Sequence, residues 1–552
     1  MAKDNKTFEN LPHSAVEYIN LVIKNIRYRK IARDEVCEEL IDHFEVYLKD
    51  CTTNEEKEQK APKLISEFGD PKILAILMRR AKKRCRPLWR TAVARTFQAI
   101  AAIIILLILY IAWFLSGKPV ITTNYIVELN NIVRPSADDS LNAAPIYNKA
   151  IETLVDINDV EEILLIHFYD ANDEQIKLIR QWLANNEASL ALIAKGSKLP
   201  YCWRPYQSKN PEQSMMSVRL PPQLVPERQL AYALCWRAWL NAQTNDFNSA
   251  FLDIEICYRL GRHCKGEKTL VEQLVGMAIE PISLKTTRQI LDTNKIDSNT
   301  LAGFQQRLQN LIENEDFKPN FRFDKLCMFD EIQRCFTDSR FGPSHLYPKR
   351  IRLLCEISNE NPKHSPFLTL MLSRNFFFAP NKNETIANTN AFYGFIDENL
   401  SKTPARLHVE GINLSDEDER LVKDSNNILL HILTPSFGWI NIISWRNKID
   451  TESTILIIAL VRYKQDTGAF PESLDKLVER GYIKQVPVDP FSDKPIAYRK
   501  TDNNFLLYSW GSNLKDDDGH VARDKKGKSK KFANEGDWVF WPVIDGKYEQ
   551  TK

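Results

Sequence analysis

Apolar residues return at helical spacing through the first part of the chain. Val16, Ile19, Val22, Ile23 and Ile26 form one stripe, and Val36, Leu40, Ile41, Phe44 and Leu48 form a second, because positions three and four apart share one face of an α-helix. A third helix carries Leu64, Ile65 and Phe68 and stops at Gly69. Asp70-Pro71 follows, where Asp caps and Pro fills the first turn of a fourth helix running through Leu77. Short amphipathic helices in this order predict a small antiparallel bundle over residues 1–88.

From Phe97 to Leu115 the alternation stops, and FQAIAAIIILLILYIAWFL carries no charge. A helix of that length spans roughly 28 Å, close to the hydrocarbon thickness of a bilayer. The run predicts a single transmembrane helix, within a segment bounded at residues 89–118. Ahead of it lie Arg79, Arg80, Lys82, Lys83, Arg84, Arg86, Arg90 and Arg95 with no acid among them, whereas Lys118 stands alone on the far side. The positive-inside bias then puts the N-terminus in the cytoplasm and the longer C-terminal part outside the cytoplasmic membrane. The basic block reads first as a topology signal, with anionic lipid of the inner leaflet as its partner. A cleaved leader is not expected, because the run is longer than a signal h-region and lies far into the chain.

Beyond the membrane, Ile121 to Val133 reads as an extended stalk. Ile146 to Val155 and Ile176 to Ile193 then resume helical spacing. The clearest pattern is Glu227 to Arg262: a face containing Ala231, Leu234, Ala238 and Ala242 breaks at Thr244-Asn245-Asp246 and resumes with Phe247, Ala250, Ile254 and Cys257. Small residues allow close approach and the polar break makes the two helices antiparallel. The hairpin resembles a single tetratricopeptide-type unit, but no 34-residue recurrence follows it. Residues 119–445 are therefore expected to form an irregular α-helical domain.

Composition alters this picture little. With 43% apolar and 26% charged residues and a net charge of +2, the 552-residue chain reads as folded domains without general affinity for nucleic acid. Eighteen glycines and the lack of G-x-G-x-x-G, P-loop, H-E-x-x-H or G-x-S-x-G motifs argue against a nucleotide-binding or recognised hydrolytic site. Cys37, Cys51 and Cys85 fall before the span, and Cys202, Cys235, Cys257, Cys264, Cys327, Cys335 and Cys355 after it. That odd number outside leaves at least one thiol unpaired within the chain, and buried free thiols compete with disulfides. Cys257, His263 and Cys264 lack zinc-ligand spacing. Asp324, Asp330 and Glu331 are acids that an enzyme would need to converge in a cleft, and Arg374 to Phe378 mixes a cation with aromatics.

After Thr454 the character changes. A helix through Ile455, Ile458 and Val461 leads to Tyr463-Lys464-Gln465-Asp466-Thr467-Gly468-Ala469-Phe470-Pro471-Glu472-Ser473-Leu474, then to Val486-Pro487-Val488-Asp489-Pro490-Phe491. Two β-like runs follow, Pro495 to Arg499 and Phe505 to Trp510, predicting a helix packed on a small antiparallel sheet in residues 446–552. These coupled motifs resemble the globular domain of the major pseudopilin of type II secretion. That resemblance implies a calcium-holding last loop, with Asp516, Asp518 and Asp537 at the equivalent positions. Hard oxygen ligands suit Ca²⁺, although the spacing is not that of an EF-hand. The basic insertion Lys525 to Lys531 departs from the family, as does everything upstream.

The N-terminal run Glu38-Glu39-Leu40-Ile41-Asp42-His43-Phe44-Glu45, with Glu67-Phe68-Gly69-Asp70-Pro71 ahead of an apolar helix, resembles the HAAS helical signalling-type domain of bacterial membrane proteins. His43 reads as a helix-surface residue. The whole is similar to planctomycete-type envelope proteins that end in a pseudopilin-like module. The expected fold class is mainly α with a C-terminal α+β domain. The expected function is that of a single-pass, non-enzymatic scaffold binding envelope proteins outside, with a cytoplasmic partner for the inner bundle. A transmembrane sensor and an enzyme with a site in residues 140–445 are the alternatives.

Overall fold

The computed structural model describes residues 8–84, 88–155, 160–166, 168, 170–209, 214–218, 220–313, 315–338, 344–357, 379–523 and 535–543. The described chain is mainly helical, with a small antiparallel sheet near its C-terminal end, and it divides into two compact units, residues 1–113 and 114–552.

The first unit holds α1 (His13–Asn25), α2 (Lys30–Tyr47), α3 (Asn54–Phe68), α4 (Pro71–Arg84) and α5 (Leu88–Leu115). The apolar stripes meet in one core of Tyr18, Ile19, Val22, Val36, Leu40, Ile41, Phe44 and Leu64. Thr53 and Glu56 form a reciprocal capping box at the start of α3, satisfying backbone donors that have no intrahelical partner. At its end Gly69 adopts φ 74°, and the Tyr18 hydroxyl donates to the Gly69 carbonyl at 2.9 Å. His43 is exposed, its ring edge-on to Phe68. Within α5, Ala92–Trp113 is long and apolar enough to cross a membrane, and none of it is buried in the protein.

In the second unit, α6 (Tyr125–Val133) occupies the segment expected to be an extended stalk. The Asn124 side chain accepts from the Ile126 and Val127 N–H groups and caps it, while Ile126 and Leu129 pack against Tyr206, Met215 and Leu326. The burial that fixes this short helix comes from residues distant in sequence. The hairpin at Thr244-Asn245-Asp246 forms as expected, between α7 (Leu224–Gln243) and α8 (Phe247–His263). Next comes α9 (Leu270–Thr293), which crosses α8 closely. A Cβ on Gly276 would lie 2.5 Å from the Gly261 carbonyl oxygen, so neither helix has room for a side chain there.

Beyond α9 lie α10 (Ser298–Ile312), α11 (Arg322–Cys335) and the central α12 (Phe437–Thr467). Helix α12 runs unbroken through the 445/446 division read from the sequence and stops where Gly468 takes φ 85°. Its apolar positions Ile449, Leu456, Ile457 and Ile458 share one core with Phe251, Phe304 and Leu308 on the helical side. On the strand side the same core takes in Phe505, Leu507, Phe540 and Trp541. Strands β1 (Val488–Asp489) and β2 (Lys494–Pro495) form a two-stranded ladder. Strands β3 (Ala497–Lys500), β4 (Phe505–Ser509) and β5 (Trp538–Trp541) form an antiparallel sheet in that order. The first two strands of that sheet match the β-like runs, whereas β5 went unread in the sequence despite its Trp-Val-Phe-Trp composition.

Candidate functional site

The acidic loop after β4 is built around Asp489 and Asp537. Asp489 accepts from the Ser509 hydroxyl at 2.6 Å and from the Phe491 and Trp510 N–H groups at 3.1 Å, fixing the end of β4. Asp537 accepts from the Gly519 N–H at 2.6 Å and the Asp517 N–H at 3.1 Å. Asp516 accepts from the Tyr508 hydroxyl at 2.9 Å and from the Asp518 N–H at 3.0 Å. Of the expected ligands, Asp516 and Asp518 are exposed on the loop after β4, and Asp537, directly ahead of β5, is buried. The Asp537 carboxylate is turned to the backbone N–H groups of Gly519 and Asp517, and among the described residues no three acidic, His or Cys side chains form a metal-holding group. The insertion at 525–531 lies outside the described residues.

Burial pushes the Asp537 carboxyl up to about 6, against the loop N–H donors that favour its charged form. A carboxyl raised from 3.8 binds more protons folded than unfolded, so its contribution to stability falls as pH rises from about 4 to 6. The stability of Asp537→Asn relative to the parent is therefore expected to improve as pH rises through that window. Thermal midpoints of both proteins at pH 4, 5, 6 and 7 check this, and a pH-independent difference would contradict it.

Next to Asp537 opens a cavity of about 450 Å³, walled by α9, α12 and β5. Among the described residues, three cations line it: Lys285, Arg288 and Arg446. Arg288 donates to Asp450 and to the Thr454 hydroxyl, each at 2.6 Å, and its guanidinium lies 5.9 Å from the Phe540 ring centre. Arg446 stacks 4.7 Å over Trp538, whose ring is held edge-on by Phe491 at 4.5 Å. Burial holds Arg446 below the ordinary guanidinium range, Asp450 works against that shift, and Arg288 adds to it. Met277, Pro281, Ile282, Ile443 and Val539 supply apolar wall. Sequence reading missed this site because its charged residues come from elements far apart in the chain. The one local signal was Arg446 and Asp450, one helical turn apart.

The acids considered for an enzyme do not meet in this cavity. Asp330 pairs with Arg334 at 2.9 Å and accepts the Met215 N–H at 2.7 Å, whereas Glu331 is engaged by Arg350 and the Ser214 hydroxyl. Asp324 is half-buried elsewhere and pushed up to about 7 by desolvation. Cys257 faces Cys235 at 3.7 Å, whereas His263 bonds the Tyr147 hydroxyl at 2.8 Å and the Leu199 carbonyl at 3.0 Å. Burial holds that imidazole down to about 3, so it is neutral. The eight cysteines whose side chains are described are free thiols. Cys85 and the side chain of Cys355 lie outside the described residues, as does the Arg374 to Phe378 tract.

At the basic block, Arg79, Arg80, Lys83 and Arg95 are exposed, but Lys82 turns to its own bundle. It donates to Glu39 at 2.5 Å and lies 3.2 Å from Glu35, contacts that raise its pKa. Arg86 and the side chains of Arg84 and Arg90 lie outside the described residues. On α4, Ile73, Ile76 and Leu77 are exposed beside Arg80 and Lys83, while Leu74, Ala75 and Met78 face the core.

No family model, curated protein or solved structure matches the chain.

Proposed function

We propose that the protein is a single-pass, membrane-anchored envelope component that acts without catalysis, binding other proteins through residues 114–552. The observation that carries the reading is the unburied apolar segment Ala92–Trp113 directly after a basic block. An apolar face of that extent is stable only against lipid or a large partner. The charge bias supports a cytoplasmic N-terminus in the inner membrane. Exposed Ile73, Ile76 and Leu77 next to Arg80 and Lys83 give the inner bundle a surface suited to anionic headgroups. The pseudopilin-like and HAAS-like residues support interaction modules on the two sides, the inner one serving a cytoplasmic partner. Calcium is the ligand proposed for the Asp516, Asp518 and Asp537 loop; titration calorimetry of the full chain with Ca²⁺ is expected to give saturable heat that Asp537→Ala removes.

The protein-binding reading is tested by site-specific photo-crosslinking in intact cells from exposed positions such as Val225, Val409 and Trp439. A discrete heteromeric adduct at the outer face is expected. Only self-adducts, or none from any position, would overturn it.

A further inference from the structure

Across the α7–α8 hairpin the sulfur atoms of Cys235 and Cys257 lie 3.7 Å apart, in van der Waals contact. A cysteine side chain ends one atom beyond Cβ, so two sulfurs touch only where the backbones run close together. The hairpin supplies that approach. Ala231, Ala238 and Ala242 on α7 and Ala250 and Gly261 on α8 are all buried, and none carries a side chain larger than a methyl group. The two cysteines stand equally far on either side of Asp246, as residues that meet across a tight antiparallel turn do. Arg237 donates to Asp253 across the same two helices at 2.6 and 2.9 Å, which fixes the register within one turn of both thiols.

Cys235 is 1% exposed and Cys257 not at all. The hydrogen bond with Cys235, and then burial, hold the Cys257 thiol well above its ordinary range. Thiolates are the reacting species in disulfide exchange, so the packed hairpin is slow to form such a bond and equally slow to release one. The exchange therefore belongs to folding, before α7 and α8 close over the pair.

We propose that Cys235 and Cys257 are a disulfide site, joined by a disulfide oxidant as the chain folds and stapling α7 to α8. One protein thiolate attacks a sulfur of the oxidant, expels a thiolate and leaves a mixed disulfide; the second protein thiolate attacks the protein sulfur of that bond and expels the other half. The oxidant takes up two electrons and leaves as two thiols with the two protons, while the protein sulfurs close to about 2.05 Å. The pairing rests on the contact within the hairpin. That an oxidant is present in cells rests on the proposal that residues 114–552 lie outside the cytoplasm.

The test separates the two. The full chain is made by cell-free synthesis into phosphatidylcholine nanodiscs, with either a reduced and oxidised glutathione couple or dithiothreitol. It is then denatured, alkylated with N-ethylmaleimide, digested and mapped by mass spectrometry. With the glutathione couple, the Cys235 and Cys257 peptides are expected mostly joined and without adducts. With dithiothreitol, the joined species is expected to be lost and both residues to carry the adduct. Cys257→Ala should lose the joined species and leave Cys235 alkylated, a readout on denatured chains that does not require the variant to be stable. Both cysteines alkylated in the parent made with the glutathione couple, or either joined mainly to another cysteine such as Cys202 or Cys264, would overturn the proposal. The same map from acid-quenched cells is expected to show the joined peptides. Adducts there, with the bond present in the cell-free protein, would uphold the pair and count instead against an extracytoplasmic location.

Discussion

Replacing Lys265 with Met is expected to destabilise the protein by about 3–5 kcal/mol, the range for breaking a buried ion group by removing one partner. Lys265 lies near the end of the α8 turn with its ammonium 2.7 Å from Glu280, and it is also bound to Glu315. Glu280 is fully buried and the Glu315 side chain nearly so. Burial, with Glu315 adding to it, pushes the Glu280 carboxyl up to about 7, and Lys265 is the chief opposing influence. Without the ammonium, two carboxylates share a low-dielectric site with Arg262 only 3.9 Å from Glu315. The methionine stem restores the packing but not the charge, so the loss is electrostatic rather than a cavity effect. Glu280 then takes up a proton more readily in the folded state, and the deficit is expected to shrink as pH falls from 8 to 5. Chemical unfolding of the full chain in detergent at both pH values measures this. Lys265→Met combined with Glu280→Gln and Glu315→Gln should regain most of the loss, because neutral partners need no counter-charge. An unchanged midpoint in the single variant would show that the triad contributes little.

The same triad marks where sequence reading stopped. The hairpin of α7 and α8 was legible because its small residues and polar break are local, and so were the stripes of α1 and α2. Glu280 and Lys265 were not, because a charged residue in a helix normally signals solvent, and only the crossing of α8 over α9 at Gly261 and Gly276 puts this one inside. Helix α12 shows the reverse limitation. The change of character after Thr454 reads as a separate domain over residues 446–552, yet no Pro or Gly interrupts Trp439 to Thr467, and the helix runs through the division with the same core. Lys82 shows it at the membrane block, where adjacent basic residues look equivalent in sequence but one is turned to Glu35 and Glu39. The cavity site depended on β5, whose Trp538 and Phe540 organise two arginines from other elements. Periodicity reports which face of an element is apolar and leaves open which distant element will cover it.

Placing two aspartates in the centre of the exposed apolar helix, Ile103→Asp with Leu106→Asp, is expected to remove the protein from the carbonate-resistant membrane fraction. The two positions are one turn apart and among the most exposed of the segment, at 64% and 66%. Each aspartate near a helix centre costs about 2.5–3.5 kcal/mol on insertion, while each Leu, Ile, Phe or Val contributes only about 0.3–0.6 kcal/mol in favour. The two substitutions therefore cancel about as much as the remaining large apolar residues supply, whereas Ile103→Ala with Leu106→Ala should leave the chain in the membrane. Membrane pellets washed with carbonate and probed for the full-length chain distinguish the two variants. Retention of the double aspartate would mean that lipid is not what covers Ala92–Trp113. A large protein partner would then have to bury that face, and detergent-free extraction of a stable complex becomes the expected behaviour. Loss of the aspartate variant with retention of the alanine variant ties anchoring to this helix, because the alanines remove the same large side chains without adding charge.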